Sequence, residues 1–404
     1  MGYWSMLSRA QYGWLAGTLV AMCAIVGVGW ALEPKSDKAM PMGLTTAMSV
    51  REIAPRLETT GKALAKELGL PLDVSMRAPV RELGLSQETL DRAVVHLASH
   101  RGARLKYFVF VALVLGGLVF LTRLGRPAGS PNSDRSLWYP RAPYVLVLLV
   151  AAGVCGFALG KSPNPMEGAV KLFKAMVGLQ PSVLAVVLAF LLFAGLAVVG
   201  NKLVCGWACP FGALQELVYS LPLLNHLKRH KVPFAVSNLV RGGLFVLVLL
   251  MLFGVVGGKK GFVLYHWINP FNLFNLEFES MSMLIAVIAA LLLSLGVYRP
   301  FCQFVCPFGL VSWILERVSL IRVKVDRSRC NKCGACIRAC PLEAAKHRVE
   351  GNLLAADCYS CARCLNVCPS EAITYGSVFS AKRSCPSQRP TAEQIDRATK
   401  HLKK

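Results

Sequence analysis

Acidic side chains are scarce in this 404-residue chain. It has 22 Asp and Glu against 45 Lys and Arg, and charged residues of both signs make up 17% of the total. A composition that is 54% hydrophobic cannot be clothed by so little charge, which excludes an ordinary water-soluble globule before any motif is read. Histidine is scarce too, at seven residues. No apolar stretch carries a His that could pair with one on another stretch, so a b-type haem would have no axial ligands.

What is present instead is a series of apolar runs. Six qualify as membrane spans, at about 14–32, 107–121, 144–159, 183–200, 242–258 and 281–297; those shorter than the ~20 residues of a full span must be completed by their flanks. The first run reads as a signal anchor, because no small-residue cleavage site follows it before Glu33-Pro34. Arg123, Arg126, Arg135 and Arg141 face a single Asp134, and Lys202, Lys228, Arg229 and Lys231 face a single Glu216. The positive-inside rule puts both segments in the cytoplasm. The expected fold class is therefore an α-helical integral membrane protein of about six transmembrane helices, multi-pass in a bacterial cytoplasmic (inner) membrane, with both termini cytoplasmic.

The net charge of +23 is best accounted for by that membrane. From Arg299 onward there are 18 Lys and Arg against 8 Asp and Glu, a surplus suited to an anionic lipid leaflet and to acidic redox partners rather than to nucleic acid.

The chain divides into an anchor helix (1–32), a small extracytoplasmic helical module (33–105), a transmembrane bundle (106–316), a small α+β cytoplasmic domain (317–376) and a basic tail (377–404). Within the module, helices are expected at about 56–68 and from a Ser86 cap to about Gly102. Gly69 and Gly84 should act as C-terminal caps. A docking surface for a further subunit and a plain spacer are both open readings of it. Alternation from Val318 to Val325 predicts a strand leading into the last domain.

Fifteen cysteines would suit a disulfide scaffold outside the cell, but twelve fall into four tight groups on the side where thiols stay reduced, which favours metal ligation. Cys330, Cys333, Cys336 and Cys340-Pro341 follow the spacing C-x2-C-x2-C-x3-C-P, and Cys358, Cys361, Cys364 and Cys368-Pro369 repeat it 28 residues later. This is the two-cluster bacterial ferredoxin pattern, in which the fourth cysteine of each run ligates the other cluster. It assigns one [4Fe–4S] cluster to Cys330, Cys333, Cys336 and Cys368, and a second to Cys358, Cys361, Cys364 and Cys340. A zinc ribbon uses C-x2-C pairs, not triplets. Gly334, Ala335, Ala339 and Ala362 keep the backbone close to the sulfurs.

A second duplication lies nearer the membrane. Cys205-Gly-Trp-Ala-Cys209-Pro210-Phe211-Gly212 recurs 97 residues later as Cys302-Gln-Phe-Val-Cys306-Pro307-Phe308-Gly309, so spans three–four and five–six read as two copies of one hairpin. If each pair is helical, its sulfurs lie one turn apart on one face. Four convergent thiols suit a further cluster, another thiophilic metal or a redox dithiol, and packing is the remaining alternative. The solitary Cys23, Cys155 and Cys385 read as packing residues.

Tyr265-His266-Trp267 precedes the sixth span on its outer side. An aromatic belt and a quinone site built on His266 and Trp267 are both open readings. Arg241 reads as a snorkelling residue, and His226 and His230 as part of a solvated basic loop.

The C-x3-C-P pairs together with the doubled ferredoxin motif resemble the NapH/NosR/CcoG group of membrane polyferredoxins over about residues 140–376. The resemblance implies electron transfer between the quinone pool or cytoplasmic donors and an extracytoplasmic acceptor. The chain would act as a respiratory electron-transfer subunit, such as that of a quinol dehydrogenase, rather than a stand-alone enzyme, with an iron–sulfur protein or multihaem cytochrome as partner. The alternative is a maturation factor that reduces or inserts a metal. The chain departs from the group in its extra N-terminal hairpin relative to NapH, in lacking the flavin-attachment string of NosR, and in lacking the C-terminal β-domain of CcoG.

Overall fold

Long runs of Leu, Val and Ala make helix the dominant element, since helix pairs every backbone group within its own segment. The computed structural model describes residues 44–57, 61–70, 77–99, 103–124, 142–160, 164–178, 183–221, 223–224, 226–257, 263–276 and 280–378. The expected anchor 1–32, most of segment 123–141, Cys23, Cys385 and nearly all of the tail lie outside these residues.

The N-terminal module contains α1 (Val50–Arg56), α2 (Gly61–Glu67) and α3 (Gln87–Ser99) around a core that includes Ile53, Leu64, Val80, Leu90 and Val94. The Ser86 hydroxyl caps α3 by accepting from the Thr89 amide at 3.2 Å. Gly69 and Gly84 take φ of 70° and 77°, as helix-closing residues do. Of the helix expected over 56–68, Arg56 closes α1 and Gly61–Glu67 forms α2, while residues 58–60 lie outside the described residues.

The bundle comprises α4 (Ala103–Leu124), α5 (Ala142–Ala152) continuing into a π-helical segment (Gly153–Ala158), α6 (Pro165–Met176), α7 (Val183–Gly200), α8 (Pro210–Ser220), α9 (Phe234–Leu252) and α10 (Met281–Leu293). Only α9, among the described residues, is long and apolar enough to cross a membrane by length and composition; Phe108–Leu121, Tyr144–Ala158, Val186–Gly200 and Met281–Leu293 are shorter apolar stretches. The expected fifth span starts eight residues and ends six residues earlier than its hydropathy suggested, because Pro233 precedes the helix start and Gly254 and Gly257, at φ of 78° and 85°, follow its end. α6 lies between the expected spans 144–159 and 183–200; Asn164 caps it by accepting from the Glu167 amide at 2.8 Å.

Two 3-10 turns, Leu264–His266 and Pro270–Asn275, fold inward between these helices. Tyr265, Phe271 and Phe274 are buried there, and among the described aromatic side chains of this stretch only Trp267 is exposed. Phe274 packs so closely on Gly156 that a Cβ there would lie 2.6 Å from its ring.

Short helices α11 (Pro300–Phe304) and α12 (Pro307–Leu315) lead into β1 (Ile321–Val325). This strand pairs antiparallel with β2 (Ile373–Ser377), Val323 opposite Tyr375. Between the strands lie α13 (Ala335–Ala339), α14 (Ala344–Glu350) and α15 (Arg363–Val367). The strand expected from Val318 begins three residues later, as Glu316–Val318 forms a 3-10 turn. The domain is fastened to α7, where the Leu320 amide donates to Val198 O at 2.9 Å and the Tyr375 hydroxyl to Gly200 O at 2.7 Å.

Candidate metal centres

In each ferredoxin run, the backbone turns left-handed at two matching positions: Lys332 and Gly334 (φ 56° and 72°), and Ser360 and Ala362 (φ 54° and 66°). These turns curl the first three cysteines of each run around a hollow. The fourth cysteines, Cys340 and Cys368, are extended at ψ of 126° and 109°, as the prolines that follow demand. Each therefore leaves its own loop. One cavity is lined by Cys330, Cys333, Cys336 and Cys368, and the other by Cys358, Cys361, Cys364 and Cys340. Among the described residues, no group of three or more His, Cys, Asp or Glu side chains could hold a single metal ion. Four thiols around one hollow, reached by the fourth cysteine of the other run, are the ligand set of a cubane.

The membrane-edge pairs depart from the expected single helical turn. Cys205 lies in a π-helical segment (Val204–Ala208) and Cys302 in α11, but Cys209 and Cys306 are extended N-caps with nearly identical backbones (φ, ψ of −69°, 119° and −66°, 119°). Pro210 and Pro307 cause this: each disfavours helix in the residue before it and starts a new one at N1. The four cysteines are still neighbours in the interior: Cys205, Cys302 and Cys306 pack in one buried cluster, and Cys209 and Cys306 in the adjoining one. Burial raises the Cys302 thiol to about 11, although Arg299 pulls it down. As free side chains these are neutral thiols, and a metal would have to displace their protons.

Contacts cross between the two repeats. Gln215, six residues after Cys209, donates to Cys302 Sγ at 3.3 Å; Ser312, six after Cys306, lies 3.7 Å from Cys205 Sγ. Lys202, three before Cys205, donates to Gly309 O at 3.4 Å; Arg299, three before Cys302, donates to Cys205 O and to Gly206 O at 3.0 Å. Gly212 and Gly309 leave room for this: a Cβ at Gly309 would meet Cys302 O at 2.6 Å. Sequence reasoning missed these four residues, although their matching offsets in the two copies were a visible signal.

Carboxylates tie the cations down. Asp357 pairs with Lys202 and, at 3.3 Å, with Arg241; Glu216 pairs with Arg299 at 3.0 Å and Arg363 at 2.7 Å; Glu316 pairs with Arg348. All are nearly or fully buried. Arg241 thus does not snorkel, and Lys202 does not belong to a solvated loop. Burial pushes the Asp357 carboxyl up, but Lys202 and Arg241 outweigh it and hold it below its ordinary value. Lys228 is also buried and donates to Leu221 O, while His226 and His230 stay exposed. Burial, with Arg363 nearby, lowers the Lys228 ammonium to about 7.

The loop carrying Cys358 and Cys361 is wedged against the first repeat. Trp207 Nε1 donates to Ser360 O at 3.1 Å, Ser360 Oγ to Asn201 O at 2.8 Å, and a Cβ at Gly206 would collide with Tyr359 O. By contrast, Tyr265 lies in the buried cluster on which Cys306 packs. Trp267 is half exposed, and the His266 side chain lies outside the described residues.

A family model described as a 4Fe-4S binding domain matches residues 180–231 and 280–328, one copy on each C-x3-C-P repeat; a second of the same description matches 323–346, over the first ferredoxin run. The ferredoxin-type protein NapH of Haemophilus influenzae is 29% identical over 166 residues, 40% of this chain and 55% of that protein. The regulatory protein NosR of Pseudomonas aeruginosa is 30% identical over 167 residues (39% and 23%). The methylamine utilization ferredoxin-type protein MauN of Methylobacillus flagellatus is 30% identical over 149 residues (35% and 49%). The chain thus spans about half or less of the length of these relatives. No solved structure matches it. In its doubled cysteine motifs and in these relatives, the chain is similar to 4Fe–4S polyferredoxins of the NapH/NosR type.

Proposed function

We propose that the chain is a membrane-embedded electron-transfer subunit that passes electrons between the quinone pool and partner redox proteins in a respiratory complex. The observation that carries this is the sorting of eight ferredoxin cysteines into two four-cysteine cavities, one of them wedged against the membrane-edge thiols. Cys330, Cys333, Cys336 and Cys368 hold one [4Fe–4S] cluster and Cys358, Cys361, Cys364 and Cys340 the second. When bound, such a cluster stores and passes single electrons.

Cys205, Cys209, Cys302 and Cys306 hold a third cluster. Support comes from the packing of the four cysteines as neighbours in the interior, from the 4Fe-4S family model covering both repeats, and from the surrounding charge. Lys202 and Arg241 share one Asp357, and Arg299 and Arg363 share one Glu216. Each trio has one more cation than anion, and buried charge of that sign calls for an anionic group such as a thiolate-ligated cluster.

Six spans with cytoplasmic termini follow from loop charge. Exposed apolar side chains on the helices, among them Leu188, Leu239, Val246, Ile285 and Leu292, support burial in lipid. The inward-folded turns 264–275 place Tyr265 in the buried cluster on which Cys306 packs, which shortens the path from an outer quinol site at His266 and Trp267 to the thiols. The partner is a redox subunit, an iron–sulfur protein or multihaem cytochrome.

The test is anaerobic reduction of the purified protein by a quinol analogue, followed by the loss of cluster absorbance in the visible. Reduction that slows at least tenfold in His266→Ala is expected; an unchanged rate would remove the quinol site. Stoichiometric copper in place of iron at the four thiols would favour a metal-handling role instead.

A further inference from the structure

The two ferredoxin cavities differ in their polar lining. The one around Cys340, Cys358, Cys361 and Cys364 is also lined by Tyr298, Tyr359, Arg348 and Arg363, each no more than 7% exposed. The hydroxyl of Tyr298, Nε of Arg348, and Nε and Nη1 of Arg363 have no hydrogen-bond partner within the protein. Buried donors without acceptors are rare and costly, and four around one cavity imply that the acceptor is whatever fills it. Thiolate and sulfide sulfurs accept such bonds, and accept them more strongly when the cluster has gained an electron.

The cavity around Cys330, Cys333, Cys336 and Cys368 has no such donor among the described residues. Its polar lining includes Asn331, Lys332 and Glu350, all exposed, and Ser370, whose hydroxyl lies 3.7 Å from Cys368 Sγ. Water on that side also favours the reduced state. The guanidiniums on the other side act in a low-dielectric interior, where a charge weighs several times more than in water. The two guanidiniums that line the cavity, Arg348 and Arg363, are each held by a buried carboxylate, Glu316 and Glu216, and still have N–H groups left over.

We infer that the buried cluster, ligated by Cys340, Cys358, Cys361 and Cys364, has the higher reduction potential and is where a single electron comes to rest, with the exposed cluster as the lower-potential relay. The inference rests on the ligand assignment above.

Redox titration of the anaerobically purified full-length protein, read by electron paramagnetic resonance, tests it. Tyr298→Phe keeps the ring and removes only the donor. It is expected to lower the upper-potential step, by up to a tenfold change in its reduction constant, about 59 mV for one electron, and to leave the lower step in place. Ser370→Ala is expected to move the lower step alone. Arg363→Lys, which keeps the charge and thins the donors, should again move only the upper step. A Tyr298→Phe protein that shifts the lower step, or that leaves the upper one unmoved with its full iron, would overturn the ordering while leaving the clusters intact. A protein with fewer than about eight irons would overturn the ligand assignment and the ordering with it.

Discussion

Gly309 is held to glycine by its neighbour. A Cβ there would sit 2.6 Å from Cys302 O, whereas one at Gly242, in α9, meets nothing within 4 Å. Gly309→Ala should therefore destabilise the protein by about 1–3 kcal/mol through overpacking, and Gly242→Ala should stabilise it by up to ~1 kcal/mol through helix propensity. Thermal unfolding of the two variants in detergent checks the pair. Asp357 works by charge rather than by space. Asp357→Ala leaves Lys202 and Arg241 buried without an anion, at a cost of about 3–5 kcal/mol. Because its folded pKa is depressed, the stability it supplies is fully present above about pH 4, the unfolded value, and is lost as pH falls through the folded one. Acid titration of the unfolding midpoint should show that loss in the parent and not in Asp357→Asn. At this scale the eight ferredoxin cysteines were legible because spacing alone encodes their loops. Lys202 and Arg241 were not, since their partner Asp357 lies over a hundred residues away and a basic side chain next to a span reads by default as solvated.

At the scale of elements, the wedge between the Asp357–Cys361 loop and the π-helical segment Val204–Ala208 is the joint of the molecule. Gly206→Ala drives a Cβ into the Tyr359 carbonyl and should displace the loop that carries Cys358 and Cys361. The expected outcome is a loss of about four irons per chain, with the signal of the exposed cluster retained; full iron content in this variant would show that the joint is compliant. The repeat of two C-x3-C-P hairpins was readable from sequence. The interior of each pair was misread, because an i, i+4 spacing looks helical while the proline after the second cysteine breaks the helix there. Helix α6 was missed because its apolar residues are too few for a span, and the displacement of α9 came from glycines that a hydropathy window averages over.

At the scale of the whole molecule, the buried ion pairs bind three parts of the chain into one unit: the first repeat through Lys202 and Glu216, the second through Arg299 and Glu316, and the ferredoxin domain through Asp357, Arg348 and Arg363. Pairs so placed add little net stability over a well-packed apolar core, but they cost heavily when broken, which makes the docking geometry specific. The class of protein was legible from composition and cysteine spacing. The inward fold of residues 264–275 was not, because nothing in a Tyr-His-Trp string distinguishes a belt at the lipid surface from a turn packed beneath it. The central claim, that the four membrane-edge thiols complete a three-cluster chain, is tested most directly by counting iron and acid-labile sulfide in anaerobically purified protein. About twelve irons per chain are expected, falling to about eight in the double variant Cys209→Ser/Cys306→Ser; about eight in both proteins would contradict the claim.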